Sequence, residues 1–154
     1  MRALLHGEAE TQGYGARLAR SRPDDGELAV VFLTGGLGAG KTTLARGFLG
    51  ALGVTDSVRS PTYTLVELYR MPLVTVLHCD LYRLRGPAEL DDLGLREWAA
   101  PGYLWLVEWP ERGAGRLPGA DLTATLAVLP GAHSLELVPS TPRGEAWLGR
   151  LRNA

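Results

Sequence analysis

The sequence predicts an α/β fold, in which a mostly parallel sheet is flanked by helices and an antiparallel hairpin lies at one sheet edge. The first observation is an apolar, β-forming run at residues 28–34 that leads through a glycine-rich loop into helical spacing at residues 43–49. The second is a pair of later apolar runs that end in acids, and the third is strand-like alternation on both sides of residues 130–133. The length of 154 residues and the hydrophobic share of 45% match one compact domain over residues 1–154.

The overall composition excludes several classes of function. The formal net charge of −1 gives no general electrostatic reason to bind nucleic acid or an anionic membrane, so any connection with RNA would have to run through a partner. Cys79 is the single cysteine, and His6, His78 and His133 lack the spacing of zinc ligands. No apolar run approaches the ~20 residues that span a bilayer. We therefore expect a cytoplasmic protein, monomeric on its own and without membrane contact.

The N-terminal region precedes the glycine-rich loop with a strand, a helix and a turn. Residues 2–6 are compatible with a short strand, and residues 12–20 form a helical pattern that ends in basic residues. Thr11 is expected to be the N-cap of this helix, and a polar residue at this place could also contact a nucleotide base. Residues 23–26 form a turn that leads into the next strand.

The glycine-rich loop at residues 35–42, GGLGAGKT, fits the phosphate-loop pattern G-x-x-x-x-G-K-[ST]. It has the required context, because a predicted strand precedes it and a predicted helix follows it. Its glycines allow backbone N–H groups to converge on phosphate oxygens at a helix N-terminus. Lys41 would reach the β- and γ-phosphates, and the Thr42 hydroxyl would bind Mg²⁺. The candidate nucleotide-binding residues of the loop are Gly36, Gly38, Ala39, Gly40, Lys41, Thr42 and Thr43.

The use of basic residues singles out one position. Of the sixteen basic residues, fifteen are arginine, and Lys41 is the only lysine. Arginine carries a planar fork, whereas lysine carries a compact charge on a flexible stem. Lysine at this single position indicates that an ammonium group is required among phosphates.

An irregular stretch follows the phosphate-loop helix, which is expected to end near Gly53. It covers residues 55–63 and precedes a strand pattern at residues 64–70. Many nucleotide hydrolases carry a mobile segment at this place, whose threonine meets the metal. Thr62 is the candidate, and an ordinary turn threonine is an equally good interpretation.

Two apolar runs each end in a carboxylate. Residues 73–80 end at Asp80 and residues 104–108 end at Glu108. Acids at the ends of sheet strands can hold Mg²⁺, directly or through water, or can orient an attacking water molecule. We expect Glu108 to bind the metal with Thr42, and Asp80 to position water or complete the metal's outer shell. Either acid alone could be an incidental charge at a strand end.

The remaining elements are a short helix, a hairpin and a last helix. Residues 87–93 begin with proline and carry acids, as a helix N-terminus prefers. Residues 122–128 and 134–138 alternate as the two strands of the hairpin. A helix is predicted from Glu145 to Arg152.

With these motifs identified, the chain resembles the TsaE family, also called YjeE, over nearly its whole length. Five ordered motifs carry the resemblance and are more specific together than the phosphate loop alone. They are residues 35–43 (GGLGAGKTT), 60–66 (SPTYTLV), 78–84 (HCDLYRL), 89–90 with Gly94, and 107–112 (VEWPER).

The resemblance implies an ATPase with a phosphate-loop fold that binds ATP and Mg²⁺. It also implies that the protein acts together with TsaD and TsaB, the subunits that attach a threonylcarbamoyl group to adenosine 37 of tRNAs reading codons that start with A. In that family, ATP binding and hydrolysis reset the TsaD–TsaB assembly between turnovers. By their places in the motifs, Thr42 and Glu108 resemble the metal ligands of the family, and Asp80 resembles its catalytic or outer-shell acid. Thr62 resembles part of a switch-like loop, and Trp109 a residue at the phosphate site.

Other positions match the family less closely. The resemblance implies nucleotide contacts near Thr11 and near the last hairpin, around His133. The family commonly has an acid at the second position of the phosphate loop, where this chain has Gly36. Cys79 stands where the family usually has an apolar or aromatic residue, and we interpret it as a small core residue.

Two other functions use the same motifs. A small-molecule kinase would transfer the γ-phosphate to a bound acceptor, with Arg59, Arg83 and Arg85 as candidate phosphate clamps. A binding module would present its ATP-bound shape to a partner, with hydrolysis incidental. Guanine recognition through N-K-x-D is excluded, because Asn153 is the only asparagine.

Overall fold

The computed structural model describes residues 1–154, and all seven strands form one sheet with the order β1-β7-β6-β2-β5-β4-β3. The strands are β1 Arg2–Leu5, β2 Ala29–Thr34, β3 Val66–Arg70, β4 Thr75–Asp80, β5 Tyr103–Glu108, β6 Leu122–Leu129 and β7 Ala132–Pro139. The helices are α1 Glu8–Arg20, α2 Lys41–Ala51 and α3 Pro142–Arg152. Short 3₁₀ helices cover Pro87–Leu93, Leu95–Trp98 and Pro110–Gly113.

The centre of the sheet is parallel and its margins are antiparallel. Strands β6, β2, β5 and β4 are paired in parallel, whereas β3 and the β7–β1 pair run against their neighbours. This arrangement confirms the predicted α/β fold class and the β6–β7 hairpin. The hairpin lies one strand inside the edge, because β1 adds to β7. No helix of the protein combines the length and the apolar character needed to cross a membrane.

Helices cover one face of the sheet, and 3₁₀ segments cover the other. The larger core joins α1, α2 and α3 to one face, with side chains such as Phe48 and Trp147 almost fully buried. The smaller core joins Leu77, Trp105 and Val107 on the opposite face to the segment around Leu90. Alternate residues of β4 and β5 therefore point into different cores, as the period of a strand requires.

Helices α1 and α2 cross at two glycines. A Cβ atom added to Gly15 would lie 2.1 Å from the Leu44 carbonyl oxygen, and one added to Gly47 would lie 2.0 Å from the Gln12 carbonyl oxygen. No side chain fits at either position without moving a backbone. The glycines in the α1 sequence pattern, which weaken an isolated helix, thus allow close packing here.

Several element boundaries differ from the predictions. Helix α1 begins at Glu8, so the expectation that Thr11 is its N-cap was wrong: Gly7 precedes the helix with φ 95°, and the Thr11 hydroxyl donates to the Gly7 carbonyl at 3.1 Å. Helix α2 ends as predicted, with Gly53 at φ 108° in the αL position after the cap. Strand β3 begins only after Leu65, which has φ 67°.

The last helix also begins earlier than its predicted start at Glu145. Thr141 is its N-cap and accepts a hydrogen bond from the Gly144 N–H at 3.0 Å, and proline occupies the first helical position. Thr141 also donates to Asp121 at 2.7 Å, which links this helix to the sheet.

The glycine crossing makes a prediction about stability. Gly15→Ala should lower the free energy of unfolding by about 1–3 kcal/mol, because the added methyl group meets the backbone of α2. Gly13→Ala is the matched control on the same helix, since nothing lies within 4 Å of its added Cβ. It should raise stability by up to about 1 kcal/mol through helix propensity. Urea unfolding followed by tryptophan fluorescence measures both, and equal effects would contradict the packing argument.

Candidate nucleotide-binding and catalytic site

The loop between β2 and α2 curls over the end of the sheet. Gly35, Gly38 and Gly40 have φ values of 135°, 74° and 106°, which L side chains rarely adopt. A Cβ on Gly35 would lie 2.2 Å from the Leu126 carbonyl oxygen, so the loop rests directly on β6. The first turn of α2 follows at once, and its N–H groups, which have no partner within the helix, lie at the end of the loop.

A cleft of about 370 Å³ opens beside this loop. It is lined by Leu37, Gly38, Ala39, Gly40, Lys41, Thr42, Thr43, Ser60, Thr62, Asp80, Tyr82, Arg83, Glu108 and Trp109. The fold thus brings most of the sequence-predicted site residues around one space, from four separate parts of the chain. Ser60 and Tyr82 were not assigned to it from the sequence, although each belongs to a motif quoted above, and Arg83 was named only as a phosphate clamp of the kinase alternative.

The only lysine is turned back onto its own loop. The Lys41 ammonium donates to the carbonyls of Gly35 and Gly36 at 2.6 and 2.7 Å, and lies 4.4 Å from the centre of the Trp109 ring. Burial lowers the pKa of Lys41, and the negative charges of Glu108 and Asp80 oppose that shift. The ammonium is therefore held by neutral groups of the glycine-rich loop and by the indole ring.

Glu108 connects α2 with β4. The Thr42 hydroxyl donates to its carboxylate, at 2.9 Å from Oε1 and 3.2 Å from Oε2, and His78 Nε2 lies 2.7 Å from Oε2. Glu108 is 2% exposed and His78 is 0% exposed. A buried carboxylate is retained only where such donors compensate for lost water. His78 was not assigned to this site from the sequence, although it begins the motif at residues 78–84.

The second acid, Asp80, lies beside Glu108 because β4 and β5 pair them directly. Its carboxylate accepts a hydrogen bond from the Ser60 hydroxyl and one from the Tyr82 N–H at 3.0 Å. Thr62 lines the same cleft, but Ser60 makes the contact with the acid. The stretch before β3 therefore reaches the cleft through both residues, and the predicted contact of Thr62 with a metal stays a prediction.

Trp109 follows Glu108 in an uncommon backbone conformation. Its φ of 57° and ψ of 50° are left-handed, and Pro110 follows immediately. Such geometry costs on the order of 1–3 kcal/mol for a non-glycine residue. It turns the indole over Lys41 and against Tyr82, whose ring centre is 5.0 Å away. The sharp turn therefore places an aromatic wall on the cleft.

Three other predicted residues lie at the loop but not along the cleft wall. His133 Nδ1 donates to the Ala39 carbonyl at 2.7 Å. A Cβ on Gly40 would lie 3.7 Å from both His133 Nδ1 and Thr11 Cγ2, so these side chains meet the loop beside Gly40. Gly36 contributes its carbonyl to Lys41. Their predicted contacts with nucleotide stay predictions.

Comparison with known proteins identifies the family. The family model described as "Threonylcarbamoyl adenosine biosynthesis protein TsaE" matches residues 5–131. The chain belongs to the TsaE family. The TsaE protein of Haemophilus influenzae is 42% identical over 124 residues, which are 80% of this chain and 78% of that protein. The one of Rickettsia bellii is 38% identical over 128 residues, which are 82% and 85% of the two chains. Both are named tRNA threonylcarbamoyladenosine biosynthesis proteins.

A solved structure supports the same assignment. The crystal structure of Bacillus subtilis YdiB superposes with a TM-score of 0.80 and 25% sequence identity, covering 99% of this chain and 94% of that one. The likeness therefore extends beyond the residues that the TsaE family model matches, to include β7 and α3.

The donor set of this TsaE family member suits Mg²⁺ held together with phosphates. Thr42, Asp80 and Glu108 offer hard oxygen atoms at one end of the sheet, and both carboxylates are buried. No group of three or more His, Cys, Asp or Glu side chains is gathered as a metal cage in residues 1–154. Mg²⁺ commonly binds one or two carboxylates plus substrate phosphates, so this sparse set fits it.

The position of Lys41 makes a prediction about its titration. In nucleotide-free protein its pKa should lie below the ordinary value of about 10.4, because burial disfavours the charged form. NMR of protein labelled on lysine measures this as a single signal, since Lys41 is the only lysine. Glu108→Gln should lower the pKa further, because the carboxylate stabilises the ammonium. A pKa at or above the ordinary value would contradict the described burial.

Proposed function

We propose that the chain is a Mg²⁺-dependent subunit that binds and hydrolyses ATP for threonylcarbamoyladenosine synthesis at position 37 of tRNAs reading codons that start with A. It acts in the cytoplasm with TsaD and TsaB, and reaches tRNA only through them. The observation that carries the proposal is the Thr42–Glu108 hydrogen bond at 2.9 Å beneath a phosphate loop whose lysine lies within the same cleft. Family membership supports the tRNA-modification pathway.

Each residue of the site has a separate role in the proposed hydrolysis. Backbone N–H groups of residues 38–43 hold the phosphates at the start of α2, and Lys41 moves from its carbonyl partners to the β- and γ-phosphates. Thr42 and Glu108 hold Mg²⁺, which when bound neutralises charge that develops on the phosphate oxygens. Asp80 orients the attacking water. Trp109 covers the Lys41 side of the cleft and excludes bulk water.

The contacts within the site support slow hydrolysis by the chain alone. Lys41 is engaged with the Gly35 and Gly36 carbonyls, and Asp80 is engaged with Ser60. Lys41 must leave these carbonyls before it meets nucleotide, and Ser60 occupies one of the acceptor positions of Asp80. A partner that moves the stretch around Ser60 and Thr62 would release this position of Asp80 for a water molecule, which is the means of activation that we propose for TsaD and TsaB.

The first test follows γ-labelled ATP with Mg²⁺, for the chain alone and with TsaD and TsaB. Phosphate released mainly in the presence of the partners is the expected result, because the partners would release Asp80. Transfer of the label to a small acceptor, independent of partners, would replace the ATPase with a small-molecule kinase. Rapid release by the chain alone, unchanged by partners, would contradict gating.

Substitutions separate phosphate binding from metal binding. Lys41→Ala should weaken ATP binding at least about tenfold, because a charge-assisted hydrogen bond contributes ~1.5–3 kcal/mol.

Glu108→Gln should mainly reduce the dependence of ATP binding on Mg²⁺, measured by calorimetry with and without the metal. Glu111→Gln is the matched control, since this acid is exposed and does not line the cleft. An unchanged metal response in Glu108→Gln would remove Glu108 from the metal site.

A further inference from the structure

His78 is a buried histidine next to the proposed metal site. It lies on β4, two residues before Asp80, and faces the helix-covered side of the sheet with Val76. None of its surface is exposed. Strand geometry alone would place an apolar side chain here, as it does at Val76.

The ring of His78 makes a single polar contact. Nε2 lies 2.7 Å from Glu108 Oε2, whereas Nδ1 is buried without any hydrogen-bond partner. An unpaired buried nitrogen lowers the stability of the folded state. Packing therefore does not account for histidine at this position, and the contact with Glu108 is the one interaction that requires it.

The Glu108 carboxylate has two side-chain donors, and they differ in the oxygen to which each lies nearer. Thr42 lies nearer to Oε1, at 2.9 Å, while His78 contacts Oε2 alone. Without His78, only the Thr42 hydroxyl would hold the carboxylate, and because it reaches both oxygens it restricts rotation about the last side-chain bond less than two separate donors do. The hydrogen bond from His78 to Oε2 restricts that rotation, so Oε1 stays on the side of Thr42 and the phosphate loop.

We propose that His78 is a positioning residue that orients the Glu108 carboxylate for a divalent cation bound with Thr42. The proposal rests on the proposed function, because it assumes that Glu108 holds the metal. Hydrogen-bond partners behind a ligating carboxylate commonly have this role, and their loss typically costs about 10–100-fold in metal affinity. His78 itself contacts neither the metal nor the nucleotide.

Two substitutions distinguish this role from a general one in packing. In His78→Gln the side-chain amide reaches the place of Nε2 and keeps an N–H donor for Glu108, whereas in His78→Asn the shorter amide reaches only the place of Nδ1. His78→Met removes every donor at similar volume. Folding of each variant is checked by circular dichroism and thermal unfolding before any binding is measured.

The measurement is calorimetric binding of ADP at a series of Mg²⁺ concentrations and in excess chelator. His78→Asn and His78→Met should weaken the apparent Mg²⁺ affinity by about tenfold or more. His78→Gln should stay within about threefold of the unchanged protein. ADP binding without metal should change little in all three, because His78 does not touch the phosphate loop. If His78→Met does not fold, the Gln and Asn variants decide the outcome.

Equal Mg²⁺ affinities in His78→Gln and His78→Asn would overturn the proposal. A double-mutant cycle adds a second criterion: in a Glu108→Gln background, His78→Asn should cause no further loss of Mg²⁺ affinity. A loss that persists there would mean that His78 acts elsewhere. If Glu108→Gln alone leaves Mg²⁺ affinity unchanged, the proposed metal site fails. If it lowers Mg²⁺ affinity while His78→Asn does not, only the role of His78 fails.

Discussion

Parallel pairing of β5 with both β2 and β4 is the constraint on which the rest of the site depends. It aligns the carboxyl ends of three buried strands, so the phosphate loop, Asp80 and Glu108 meet at one edge. Glu108 then lies within hydrogen-bond reach of Thr42 at the start of α2. A shift in register by one residue would turn Glu108 to the opposite face of the sheet, away from α2.

The site concentrates features that stability alone would not favour. Two carboxylates and an ammonium group are buried together, a tryptophan adopts a left-handed backbone, and one histidine nitrogen has no partner. Burying charges is unfavourable unless they are paired and hydrogen-bonded, and here loop carbonyls hold the ammonium, while hydroxyl, histidine and backbone N–H donors hold the carboxylates. Such an arrangement is typical of a site whose groups exchange these internal partners for a ligand.

The sequence predicted those features that depend on local pattern. The phosphate loop, the acids at the ends of β4 and β5, and the hairpin follow from spacing and alternation, and each is present in the fold. The role of Gly7 before α1, and the contacts of Ser60 and His78, depend on tertiary neighbours. Thr11 is a typical cap residue, but the helix begins before it. Glu10, in the first turn, accepts a hydrogen bond from the His6 N–H.

The central claim is that a nucleotide and a divalent cation replace the internal contacts of Lys41 and Thr42. A crystal structure with Mn²⁺ and a non-hydrolysable ATP analogue tests it most directly, because anomalous scattering locates the metal. The account predicts Mn²⁺ bound by the Thr42 hydroxyl with Glu108 in its coordination sphere, directly or through water, and the Lys41 ammonium moved onto the β- and γ-phosphates. Nucleotide bound elsewhere, or Lys41 still on the Gly35 and Gly36 carbonyls, would contradict it.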